Sequence, residues 1–388
     1  MTRWLGVRFW IALLAGTAAG LFAWSLPPYP TASIALDADG VQLRSLRAIS
    51  SDGHYLVATG KKRRGSDEAD PGEAIVIWDR RQLGKSAPLV VPIQASHRWI
   101  DILFSPDEKL VGLIVCRSTW ECDLTLHEIA TGKKLEQWSM PDEGVAVFAP
   151  EGKLLFIMDG NVIDPATRTT VRRLQETIDD LAFVQPFGEL AIYSKEEQTK
   201  VYSWTRREVL AEFPHATSLK SAWFVSRDAK VLVAYCDEKP RGRHQKPIAD
   251  VVLLDAVTKS AYSASELGGA ITSLSPDGEH IVRYGESRRH RWIEKLWPTH
   301  TTTVVAHWRS KQELARFADI AEVRFSPQGN LLALRRDDGV IDIYDFPFPT
   351  PWLRILLTGT LAAATTWSLA WLWSRWRARK TPVQEKTV

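Results

Sequence analysis

Seven arginines stand in three charged segments of this 388-residue chain: Arg63 and Arg64, Arg241 and Arg243, and Arg288, Arg289 and Arg291. Their forked guanidinium donors match carboxylates and phosphates, so the three segments are a candidate partner-binding surface. Trp292 and Trp297 lie in the third and add apolar anchors of the kind that carry interface energy. Asp67, Glu68 and Asp70 neutralise part of the first segment, and solvated loops are the plainer reading of all three. Cys116 and Cys122 bracket Arg-Ser-Thr-Trp-Glu at the end of an expected hairpin, where facing strand ends reach disulfide distance; two free thiols are the alternative. Cys236 is left single, and three cysteines are too few for a disulfide scaffold.

The chain carries no Gly-x-Ser-x-Gly, His-Glu-x-x-His, phosphate-binding glycine loop or EF-hand pattern. Its nine histidines are scattered. No catalytic residue, metal or cofactor is therefore expected, and the chain reads as a non-enzyme. A net charge of +3 gives no reason to expect nucleic acid.

The elements that must position these residues are bracketed by two uncharged apolar segments, Phe9 to Leu26 and Ile355 to Trp373. Each approaches the roughly 20 residues a helix needs to cross a bilayer. Trp4, Trp10, Trp24, Trp352, Trp367, Trp371, Trp373 and Trp376 cluster at them, as indole does at membrane interfaces. The expected organisation is a short N-terminus (1–8), a transmembrane helix (9–26), a proline-rich collar (27–30), one domain (31–346), a second collar (347–351), a second transmembrane helix (352–374) and a basic tail (375–388). A cleaved signal peptide is the alternative for the first helix, but Trp24-Ser25-Leu26-Pro27-Pro28 makes a poor cleavage site. Arg3, Arg8, Arg375, Arg377, Arg379 and Lys380 place both termini in the cytoplasm and the domain outside by the positive-inside bias. Gly16 and Gly20, with Gly359 and Ala363, form two small-xxx-small patterns. These suit contact between the two helices or a helix-mediated dimer.

Between the apolar segments one turn recurs: Ser50-Ser51-Asp52-Gly53, Ser105-Pro106-Asp107-Glu108, Ala149-Pro150-Glu151-Gly152, Gln185-Pro186-Phe187-Gly188, Ser226-Arg227-Asp228-Ala229, Ser275-Pro276-Asp277-Gly278 and Ser326-Pro327-Gln328-Gly329. Proline presets the second position and glycine accepts positive φ at the fourth. Apolar runs of strand length flank each turn, and a third and fourth run follow most of them. Four strands about every 45 residues is the pattern of a propeller blade. On these turns and on Trp78-Asp79 the chain resembles the WD-repeat type of β-propeller, from about Leu46 to Phe346. The resemblance implies an all-β, seven-bladed propeller; six or eight blades, a pair of sandwiches or a β-helix are the alternatives. The seventh repeat stops at its third strand, so Thr31 to Leu36 is expected to supply the fourth and close the ring.

The expected function is a membrane-tethered scaffold that recruits a protein partner. An extracytoplasmic ligand-binding sensor, or an enzyme with its site at the central channel, is the alternative.

Overall fold

The computed structural model of the protein describes residues 10–20, 28–34, 37–38, 41–62, 73–83, 85–93, 99–117, 121–140, 145–149, 151–158, 161–173, 181–183, 190–195, 198–203, 206, 208–214, 219–237, 249–285, 302–349 and 352–380. Two compact units emerge: Pro30–Pro347, and the terminal segments Met1–Tyr29 with Phe348–Val388.

The larger unit is all-β. Its strands form seven antiparallel sheets, six of four strands and the first of five. In chain order the first sheet runs from Asp37–Ala38 to Leu89–Pro92, the second from Trp99–Phe104 to Lys134–Met140, and the third from Val145–Phe148 to Thr169–Arg173. The fourth runs from Leu181–Phe183 to Glu208–Pro214, the fifth from Leu219–Val225 to Ser260–Ser263, and the sixth from Ala270–Leu274 to Gln312–Ala318. The seventh combines Ile320–Phe325, Leu331–Arg336 and Ile341–Asp345 with Ala32–Ile34, which pairs antiparallel to Ile341–Asp345. This is the arrangement of a seven-bladed β-propeller.

The first long strand of each blade faces the axis. Val41–Ile49 lies against both Trp99–Phe104 and Ile320–Phe325, and Ile320–Phe325 also meets Ala270–Leu274. Blade seven therefore touches blade one. The period-2 alternation of each strand sends successive side chains to opposite neighbours. In blade one, Leu56 and Ala58 join a core with Ile34, Leu331 and Ile343 of blade seven, whereas Val57 joins one with Ile100, Val111 and Leu113 of blade two. In blade five, Leu232 and Ala234 pack with Val201 and Phe213 of blade four, and Val231 and Val233 pack with Ile271 and Ile281 of blade six. Each sheet is thus apolar on both faces, as radial packing demands.

The recurrent turn builds itself in the same way around the ring. Its serine is buried at positions 50, 105, 226, 275 and 326. In blade two Ser105 Oγ donates to Asp107 Oδ1 at 2.7 Å and accepts the Leu110 amide at 2.9 Å. Ser50, Ser226 and Ser275 repeat both bonds, and Ser326 substitutes Asn330 for the aspartate. The fourth turn residue has positive φ in six blades: Gly53, Glu108, Gly152, Ala229, Gly278 and Gly329. Glutamate and alanine at that position carry a cost on the order of 1 kcal/mol.

In the smaller unit a helix α1 (Trp10–Gly20) accompanies a helix α2 (Trp352–Lys380). Sequence predicts two membrane-spanning helices. Among the described residues only α2 is long and apolar enough, over Ile355–Trp373. The part of α1 that is described rises only about 16 Å at 1.5 Å per residue, about half the hydrocarbon thickness, and its flanks lie outside the described residues. Helix α2 also runs past the expected boundary at 374, through the basic residues to Lys380. The two helices meet at their small residues: a Cβ on Gly16 would stand 2.9 Å from Gly359 O and 3.2 Å from Ala363 Cβ, and one on Gly20 would stand 3.3 Å from Ile355 Cγ2.

Candidate functional site

The first strands and their turns enclose a cavity of about 230 Å³ at the axis, with lining from blades one, two, five, six and seven. Most of its wall is apolar or hydroxyl: Ile49, Ile102, Phe224, Ser273 and Phe325 are among its residues. Three charged side chains also line it: Arg47 from blade one, Asp101 from blade two and Arg324 from blade seven.

The strands explain how these groups come together. Positions 47, 101 and 324 lie on axis-facing strands, near the turn that ends each one. Register shifts in the first strands of blades one and seven twist those strands locally. Glu322 fastens the seam between them, accepting the Ser45 hydroxyl at 2.9 Å and the Leu46 amide at 2.5 Å, with Arg335 Nε 3.2 Å away. Its carboxylate is thus occupied by structural bonds. Tyr284 Oη donates to Ala321 O at 3.0 Å and binds blade six to blade seven.

The cavity charges are poorly matched within the protein. The Ile102 amide donates to Asp101 Oδ1 at 2.9 Å. Arg47 Nε reaches only Thr59 Oγ1, at 3.4 Å. Arg324 makes no hydrogen bond or ion pair among the described residues. Burial pushes the Asp101 carboxyl above its usual range, against the Ile102 amide and the positive fields of Arg324 and Arg47. Burial also lowers the Arg324 guanidinium, against the negative fields of Glu322 and Asp101. Two guanidinium groups, Arg47 and Arg324, thus share the site with the Asp101 carboxyl, and Glu322 adds a second negative field at Arg324.

The residues singled out in the sequence fare differently. Cys116 and Cys122 are joined by a disulfide, with Cα atoms 4.0 Å apart, where they face each other across the second and third strands of blade two. Arg63, Arg64, Arg241, Arg243, Arg288, Arg289, Arg291, Trp292 and Trp297 lie outside the described residues. Arg47, Asp101 and Arg324 went unrecognised in the sequence. Only Asp101 stands as a lone charge in an otherwise apolar strand, Trp99–Phe104; the strands of Arg47 and Arg324 carry other polar residues and give no such signal.

No family model matches the chain, and no curated protein matches it. Among solved structures the chain is similar to Kuenenia stuttgartiensis hydrazine synthase, at 12% identity and a TM-score of 0.48, over 81% of this chain and 98% of that one.

Proposed function

We propose that this chain is a membrane-tethered recognition scaffold whose propeller axis receives an anionic group from a protein partner. The observation that carries the reading is Arg324, a guanidinium in the axial cavity without a partner among the described residues. The cavity volume of about 230 Å³ is below the roughly 300–1,000 Å³ of ordinary small-molecule sites. It suits a carboxylate side chain or chain terminus better than a whole cofactor or substrate, which favours a scaffold over a sensor or enzyme.

Tethering rests on α2, whose leucines 356, 357, 361, 369 and 372 are exposed. Hydroxyls of Thr360, Thr365 and Thr366 are satisfied by carbonyls one turn back, which suits them to hydrocarbon. In this reading the N-terminal apolar segment makes a second span, with both termini cytoplasmic and the propeller outside.

The test is calorimetric titration of the full chain in detergent with short peptides rich in Asp and Glu, against the same peptides amidated. Acidic peptides should bind the wild type, and Arg324→Met should weaken them at least tenfold. Equal binding by the wild type and Arg324→Met would overturn the axial site. Topology is tested by labelling a cysteine placed in the tail after α2; labelling from outside the cell would reverse the orientation.

A further inference from the structure

The turns of blades one and two bring together Asp52, His54 and Glu108. Their ligand-type atoms all lie within 4.8 Å of one another. His54 Nδ1 contacts Asp52 Oδ2 and stands 3.7 Å from Glu108 Oε2. Glu108 Oε1 accepts the Asp52 amide at 2.7 Å. Its second oxygen, Oε2, is buried and has no hydrogen-bond partner among the described residues, on a side chain only 9% exposed. A buried carboxylate oxygen left unsatisfied costs several kcal/mol unless a charge compensates it.

Glu108 also occupies the turn position taken by glycine in blades one, three, six and seven, with φ of +56°. Glycine would sit there without strain. What the glutamate adds is a carboxylate aimed across the blade boundary at His54 and Asp52.

We propose that Asp52, His54 and Glu108 bind a divalent transition-metal cation of the zinc class, held between the first two blades. A ring nitrogen with two carboxylates is a donor set that such cations favour over calcium or magnesium. Ligands about 2.1 Å from a tetrahedral ion lie roughly 3.4 Å apart, close to the 3.7 Å between His54 Nδ1 and Glu108 Oε2. His54 and Asp52 are 35% and 34% exposed, so the fourth position opens to water and the ion has a way in. The related group Asp277, Glu279 and His280 in blade six has no such buried, unsatisfied oxygen.

The experiment uses the full chain in detergent, stripped with a chelator and titrated with Co²⁺ by visible absorption and with Zn²⁺ by calorimetry. The wild type should bind one equivalent of either ion, with Co²⁺ developing ligand-field bands. His54→Gln and Glu108→Gly should each weaken binding at least tenfold. Glu108→Gly is the decisive variant, because it restores the residue the turn prefers while removing the ligand. A double variant, Asp277→Asn with His280→Gln, should bind as the wild type does. Absence of saturable binding by the wild type, or wild-type affinity in Glu108→Gly, would overturn the site.

Discussion

Arg309 Nη1 of blade six lies 2.7 Å from Asp255 Oδ2 of blade five, and the Asp255 side chain is fully buried. The same carboxylate accepts the Thr258 hydroxyl at 2.9 Å and the Val257 amide at 3.0 Å. The bond joins adjacent sheets away from the axis, beside the core of Leu253 and Trp308. Arg309→Met should destabilise the propeller by about 2–3 kcal/mol, read from urea midpoints. That is below the roughly 3–5 kcal/mol of a fully buried pair, because Arg309 remains 41% exposed. Burial raises the Asp255 carboxyl, but Arg309, Thr258 and the Val257 amide together hold it below its usual range. Its contribution is therefore present above about pH 4 and lost as pH falls through the folded value. In Arg309→Met the loss should begin at higher pH.

Acid sensitivity should also trace to the blade-six turn. Burial pushes Asp277 upward, yet bonds from His280, Ser275 and the Glu279 amide outweigh it and hold the carboxyl at about 2. The stabilisation is full above the ordinary aspartate value and disappears as pH falls from about 4 to about 2. Thermal unfolding between pH 5 and 2 should show Asp277→Asn less stable than the wild type at pH 5 and the gap closing by pH 2. A gap that does not change with pH would show that the carboxylate's charge is irrelevant there.

The contact between α1 and α2 can be trapped. The distance from a built Gly16 Cβ to Ala363 Cβ, 3.2 Å, is close to that of a disulfide. Gly16→Cys with Ala363→Cys, in a chain whose native cysteines are replaced, should crosslink within one molecule under mild oxidation. Gly16→Leu should push the helices apart, because its side chain would meet Gly359 O and Ala363 Cβ. A ladder of dimers in place of the internal bond would assign these glycines to contacts between chains.

Alkylation of the denatured protein before and after reduction should count one thiol and then three. The Cys116–Cys122 bond closes only a short loop, so Cys116→Ser with Cys122→Ser should cost about 2 kcal/mol. Three reactive thiols without reduction would mean that the pair is not oxidised in the purified chain.

What was legible in the sequence was local and repeated. The turn could be recognised in all seven repeats even where arginine or alanine stood in for proline or glycine, and the five copies that begin with a buried serine specify their own hydrogen bonds. The flanking apolar runs then gave strands, and the spacing gave sheets. The axial site was not legible, because Arg47, Asp101 and Arg324 share no motif and meet only when three separate blades turn the same strand inward. The cluster of Asp52, His54 and Glu108 was equally hidden; its one trace was glutamate in a glycine position. Of the expected span 9–26 the described helix α1 covers Trp10–Gly20, and its flanks lie outside the described residues.

The pairing of Ala32–Ile34 with Ile341–Asp345 also sets an order of events during synthesis. The first strand made has no partner until almost the entire chain has emerged. A ribosome that stops early releases a ring with a gap, with the Ala32–Ile34 backbone unpaired and one apolar face of blade one uncovered, surfaces prone to pairing with other chains. Completion of the C-terminal blade is thus a built-in check on translation: only full-length copies can hide that edge, and shortened ones advertise themselves to proteases and chaperones.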